Sequence, residues 1–451
     1  MMDRLGKCPG ACPGDFYLLN GDSIEWILAE SPDHPPPMKK SSPLFTLLFA
    51  FVPAVAFAAT APQFTWETPP GWTETRGGAD GKIIRVTTLA SSGPGSFAAA
   101  VATEGPRTIE FAVAGVIDLG GRSVKLAQPN ITIAGETAPS PGITLTNGGL
   151  NIGTHDVIVR HIRIRPGAGK RERKSGWEID GISTIGGAHD VIVDHCSLTW
   201  ATDENLSASG PRFDGATPEE WRKNTSHRVT FSHNLIGEGL NNSTHIKGSH
   251  SKGSLIHDNA SDIAIIGNLY ISNDDRNPLF KGGARGVVVN NLIHNPGRRI
   301  LHFGLVPDEW QGHEWLRGAM VAVGNVARQG PSTAAAIAFI ETAGPVDVHL
   351  RDNLFSDAEG TALPAVAMQR DKERRLVPPV AGSELRLLDT PPLWPSRLKA
   401  RPASETAAWV LANAGARAWE RDAIDRRLVE EAKTGGGRII DFESEVGGLP
   451  R

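Results

Sequence analysis

The chain has 451 residues, a formal net charge of −4 and 40% hydrophobic residues, with 50 Gly and 32 Pro. The small negative charge excludes the basic surplus that nucleic-acid binding requires. The glycine and proline content predicts many turns, while the apolar content excludes a disordered chain.

In chain order, residues 1–37 read as an upstream extension from a start codon called too early. Met38 then opens MKKSSPLFTLLFAFVPAVAFAATA. Lys39 and Lys40 form a basic lead, 43–57 an apolar core, and small residues at Ala56–Ala59 suit cleavage. This is the pattern of a secretory signal over 38–59, too short for a membrane span. The mature chain is expected to be secreted or periplasmic, without a membrane span. Cys8 and Cys12 lie upstream of that signal, so only Cys196 remains, and one cysteine makes no internal disulfide. Its place in a strand predicts a small buried thiol.

Residues 60–92 form an entry segment, and 93–105 a short helix that caps a stack. From 108 onward a pattern recurs: an apolar alternating stretch, Asn or a similar polar residue, then apolar residues again. It reads VIVRHIRI (157–164), VIVDHCSL (191–198), VTFSHNLI (229–236), IAIIGNLY (263–270), VVVNNLIH (287–294), VAVGNVA (321–327) and VHLRDNLF (348–355). The starts lie 24 to 38 residues apart. Such recurrence marks a solenoid whose coils bury their apolar faces only by stacking. Period-2 alternation with β-branched residues makes each unit a strand. The fold predicted is all-β, a right-handed parallel β-helix over 60–368, and a long groove for carbohydrate. Asn234, Asn268, Asn291, Asn325 and Asn353 occupy equivalent places and predict a stacked amide ladder.

Insertions leave the coils at 166–180, 208–227 and 297–318, where repeat arrays commonly shape a binding face. The tail, 369–451, starts with a Pro-rich charged strap. Two helices follow, the first capped by Ser404 and ended by Gly415, the second over Asp422–Lys433. Such a tail would shield solenoid edges from strand pairing.

Three places carry candidate chemistry. Glu178 and Asp180 stand two apart in WEIDGIS, so on a strand both carboxylates face one side. Asp203 and Glu204 follow a coil later; adjacent acids need a cation between them, and hard oxygen donors suit calcium. In NDDRNPLFKGG, Arg276 and Lys281 offer cations for an acidic polymer, or Arg276 pairs with Asp274 or Asp275. In HIKGSHSKG, His245, Lys247, His250 and Lys252 cluster, and a His-rich turn can hold zinc, yet no Cys partner or H-E-x-x-H spacing accompanies them. His195 neighbours Cys196 and on a strand points away from it, which argues against a Cys–His pair.

Together, WEIDGIS, VIVDHCSLTW, VTFSHNLI and above all DDRNPLFKGG followed by VVVNNLI resemble the pectate lyase family of secreted parallel β-helix enzymes. The resemblance spans about residues 85–355. The tail segments PPLWPSRLKARP, NAGARAWERDAIDRRLVEE and GRIIDFESEVGG are similar to those of bacterial members. The resemblance implies that Arg276 is the catalytic base and that Lys281 binds substrate in place of the usual Arg, without its bidentate fork. It implies Glu178, Asp180 and Asp203 as calcium ligands, with Ser207 where another Asp is usual. Ser243 stands where a substrate-binding Lys is usual, and Lys247 is its substitute. The implied reaction is calcium-assisted β-elimination of pectate or a related uronate polymer, and the chain is expected to be a monomer. Two other readings stay open. One is a polygalacturonase-like hydrolase using Asp274 and Asp275 as acid and base. The other is a non-catalytic glycan-binding β-helix.

Overall fold

The computed structural model describes residues 67–357, 359–369, 375–380 and 383–450. The expected signal segment and upstream extension lie outside these residues. Among the described residues, three sheets hold eleven, ten and nine strands, and all strand-to-strand pairings within them are parallel except Val366–Gln369 with Leu376–Val377. Each full coil contributes one strand to each sheet, which is the right-handed parallel β-helix expected from the repeats.

The core is made of columns. In the eleven-stranded sheet, Ile109, Ile133, Val159, Val193, Phe231, Ile265, Val288 and Ala322 stand in register, one per coil. All are buried. No single coil could shield its own apolar row, so burial is bought by stacking. The alternate residues of this sheet are also apolar. Ala264, Ile266, Val287, Val289 and Val321 face outward and are covered by Trp72, Leu393, Trp394 and Leu398. Leu393, Trp394 and Leu398 therefore lie across this surface and give the sheet two apolar faces.

At one corner the amide ladder forms. Asn234, Asn268 and Asn291 each donate from Nδ2 to the next Oδ1 at 3.0, 2.9 and 3.0 Å, and Asn325 reaches Asn353 at 2.9 Å. Cys196 takes the ladder place one coil earlier, its amide donating to Asn234 Oδ1 (2.8 Å), and its thiol is buried and pushed up by desolvation. Asn268→Ala removes the acceptor of two Asn234 donors and two donors of its own. It should lower the unfolding free energy by about 3 kcal/mol or more, measured by denaturant titration.

Helix α1 (Phe97–Ala102) is capped by Ser96, packs against strands Lys82–Val86 and Val124–Leu126, and covers the first coil. An insertion carries α2 (Pro218–Asn224), closed by a Thr217/Glu220 capping box. The tail forms α3 (Ala403–Asn413) and α4 (Ala423–Thr434). Pro402, not Ser404, precedes α3, because the missing N–H of proline suits a helix start. The helices do not shield an end strand. They bury Ala407, Val410, Leu428 and Val429 on the outer face of the nine-stranded sheet, against Leu235, Leu269, Leu292 and Val326. Gly267 (φ +66°) admits this packing: a Cβ there would lie 2.7 Å from the Trp409 ring. Below it, His161, His195 and His233 stack at 5.0 and 4.4 Å between centroids.

The insertions do not share one side. The loop at 166–180 leaves the corner between the nine- and ten-stranded sheets, joining strands Arg163–Arg165 and Ile182–Thr184. The loop at 208–227 leaves the corner between the ten- and eleven-stranded sheets. The segment 297–318 contributes to both, since strand Leu301–Gly304 divides it.

Candidate active site

The nine/ten corner gathers the acids. Residues 177–180 are irregular rather than a strand, so the period-2 expectation for Glu178 and Asp180 does not hold. The two carboxylates reach different partners. Asp180 Oδ1 accepts from the Glu204 amide (3.0 Å), while Glu178 Oε1 accepts from the Ile246 amide (3.0 Å). Coil stacking then sets Asp180 beside Glu204, Glu204 opposite Lys252, and Lys252 opposite Asp275. Asp180, Asp203 and Glu204 offer carboxylate oxygens all within 4.8 Å of one another. The Arg276 guanidinium contacts Glu204 directly.

The electrostatics reflect this crowding. Burial, then the charge of Asp203, pushes Asp180 up to about 8. Burial also acts on Asp203, but the bond from His250 and the nearby cations outweigh it and hold Asp203 below the usual range. Burial lowers Arg276; Asp203 and Asp180 oppose that shift, and Arg298 and Arg299 reinforce it. A carboxyl whose folded pKa is raised binds a proton that the unfolded chain has released. The metal-free protein should therefore lose stability as pH rises from the ordinary carboxylate range through about 8. Thermal unfolding at roughly pH 5 and roughly pH 9 should show a drop that Asp180→Asn reduces.

Asp274 and Asp275, the acid pair of the hydrolase reading, are held by cations. Arg298 Nε lies 2.9 Å from Asp274, and Asp275 meets Arg299 at 2.8 Å and Lys252 at 3.4 Å. Arg276 meets Asp275 only through its backbone amide (2.8 Å), so its side chain is turned to the acid cluster instead. Arg276 itself sits at φ +64°, a left-handed conformation for a non-glycine residue, on the turn that delivers it to the corner.

No family model matches the chain. Two fungal proteins named "Probable pectate lyase C" align with most of it. The one from Emericella nidulans is 30% identical over 410 residues, 90% of this chain and 81% of its own length. That from Neosartorya fischeri is 30% identical over 416 residues, 91% and 86%. The chain belongs to the pectate lyase family. This pectate lyase is accordingly a carbon–oxygen lyase. Solved structures agree on the fold. Jun a 1, the major allergen from cedar pollen, superposes with a TM-score of 0.51 at 15% identity, over 76% of this chain and 90% of its own. A Bacillus subtilis pectate lyase variant gives 0.51 at 15%, over 77% and 96%.

The remaining expected site residues of this pectate lyase are dispersed. Lys247 is exposed on the turn that Glu178 anchors. Lys281 ends strand Leu279–Lys281 and faces the other corner, where its ammonium meets Glu309 and, at 3.4 Å, Asp258. Lys252, Arg298 and Arg299 escaped the sequence reading as partners of this corner. Their signal is register across coils, visible only once Glu204 is paired with Lys252. Among the described residues no helix is long and apolar enough to cross a membrane.

Proposed function

We propose that this pectate lyase cleaves polygalacturonate, or a related uronate polymer, by calcium-assisted β-elimination. The observation that carries the reading is the Arg276 guanidinium set against Asp180, Asp203 and Glu204 at one corner. An all-oxygen donor set of this kind fits calcium, and burial together with the charge of Asp203 raises Asp180, a cost that a cation between them would offset. Asp180, Asp203 and Glu204 would hold the ion. Glu178, expected among the ligands, serves here by fixing the neighbouring turn. Calcium, when bound, withdraws charge from the substrate carboxylate and so acidifies the adjacent C5 proton.

The protein residues do the rest. Arg276 in its neutral form accepts the C5 proton. The electrons of the C5–H bond form the C4=C5 bond, and those of the C4–O bond leave with the glycosidic oxygen, which takes a proton from solvent water, while Arg276 returns its own proton to solvent. One product carries a 4,5-unsaturated end. Neutral arginine is uncommon. Burial and the cations Arg298 and Arg299 favour it, while the ion pair with Glu204 opposes it. With calcium bound, Glu204 would be a ligand of the ion and so would release Arg276. Lys247 is an exposed contact for substrate carboxylates, whereas Lys281 stays paired with Glu309 and Asp258 at the other corner. No redox group or activated nucleophile is used, so Cys196→Ala should retain full kcat, measured on the same substrate.

The basic lead and apolar core over 38–59 support export, as expected of an enzyme whose substrate is a large polymer. The test is incubation of purified protein with polygalacturonate and calcium. Unsaturated ends absorb ultraviolet light and are expected. New reducing ends without that absorbance would indicate hydrolysis, and neither signal would indicate a binding protein.

A further inference from the structure

Next to the carboxylate cluster lies a second group of donors with a different chemistry. The irregular turn 238–251 turns two imidazoles inward, and both are buried. His250 Nε2 is 2.8 Å from Asp203 Oδ1, and His245 Nε2 is 3.7 Å from the same oxygen. The two rings stack with centroids 3.6 Å apart. Behind them, His245 Nδ1 lies 3.4 Å from Glu178 Oε1. The turn is held in shape by bonds from Gly248 N to His245 O (3.0 Å) and from His250 N to Asn241 O (2.9 Å). The H-x4-H spacing of these histidines is only half of a zinc motif, because the third donor comes from a neighbouring coil.

We propose that His245, His250 and Asp203 form a site for a borderline divalent transition-metal ion, such as zinc or cobalt(II), with Glu178 as the carboxylate that orients His245. Two imidazole nitrogens and one carboxylate suit such ions, whereas calcium takes oxygen donors. Ligand atoms of a tetrahedral ion with bonds of about 2.0–2.1 Å stand roughly 3.3–3.4 Å apart. The observed 2.8 and 3.7 Å bracket that value, so small side-chain movements complete the shell. Three protein donors leave a fourth position for water. The protons balance through the tautomers. In the metal-free turn the Lys247 amide donates to His245 Nδ1 (3.1 Å), which leaves the proton on Nε2. With Nε2 on the ion, that proton would move to Nδ1 and be donated to Glu178, and the Lys247 amide would give up Nδ1 as its acceptor and turn to solvent. A carboxylate behind a ligating histidine is the usual arrangement for fixing ring and tautomer. Asp203 belongs to both clusters, so the ion competes with calcium for one ligand. The binding claim rests on the histidines and does not require the β-elimination reading.

Cobalt(II) is the probe. Titration of the metal-free full chain should give visible ligand-field bands that saturate at one equivalent. Glu178→Gln should raise the cobalt dissociation constant by roughly 10–100-fold. His245→Ala with His250→Ala should abolish the bands. Asp180→Asn should keep them, which separates this site from the carboxylate cluster. His250→Gln keeps a hydrogen-bonding side chain toward Asp203 and serves if the double variant does not fold; it too should lose the bands. Absence of bands in the parent chain, or bands unchanged in the histidine variants, would overturn the proposal whether or not the chain cleaves pectate.

Discussion

Arg276→Ala should reduce kcat on polygalacturonate by about 10³-fold or more, the upper part of the range for loss of a positioned base. On the proposed reading, substrate binding should change little, because Lys247 and a bound ion would still hold the uronate carboxylates. The reason for a large effect is positional. Arg276 is half-buried at the corner where the acids meet, and Arg298 and Arg299 keep further positive charge behind it. Arg276→Lys supplies an amine of more accessible pKa but a different reach, so it should restore part of the rate and shift its pH profile downward. A steady-state comparison of kcat and KM across pH distinguishes these outcomes. An Arg276→Ala enzyme with near-normal kcat refutes the base assignment.

The second large effect is on calcium. Chelation should abolish turnover, and Asp180→Asn should raise the calcium concentration for half-maximal rate at least about tenfold, since ligand charge count tunes such sites over orders of magnitude. Protons compete for the same oxygens. Burial and Asp203 push Asp180 up to about 8, so calcium affinity should rise with pH through neutrality, and Asp180→Asn should flatten that dependence. Calcium titrations at two pH values, followed by initial rate, measure both. Unchanged activity of Asp180→Asn at low calcium would remove this residue from the site.

The solenoid was readable because its signals repeat. The apolar columns and the ladder from Asn234 to Asn353 occupy the same place in each unit, and stacking converts equal place into contact. The DDRNPLFKGG segment marks Arg276 as a candidate, and the fold sets its guanidinium against Glu204. What could not be read was the corner. Glu178 and Asp180 were expected on one strand face, but a loop bends between them and sends Glu178 toward the 245–250 turn. Glu204 joins the acids through coil register, which depends on the lengths of insertions and not on local spacing. The histidine turn carried only half of a motif, because Asp203 arrives from 42 positions before His245 in the chain. Lys281 shows the opposite case. Its sequence position follows Arg276 closely, yet the intervening strand carries it to the far corner beside Asp258 and Glu309.

Diffraction from crystals soaked with calcium and a galacturonate oligomer, at a pH low enough to stop turnover, addresses the central claim directly. The account predicts an ion about 2.3–2.6 Å from oxygens of Asp180 and Asp203. It also predicts a sugar whose C5 lies roughly 3–3.5 Å from the Arg276 guanidinium. An ion bound elsewhere, or a sugar seated where Arg276 cannot reach its C5, would contradict it.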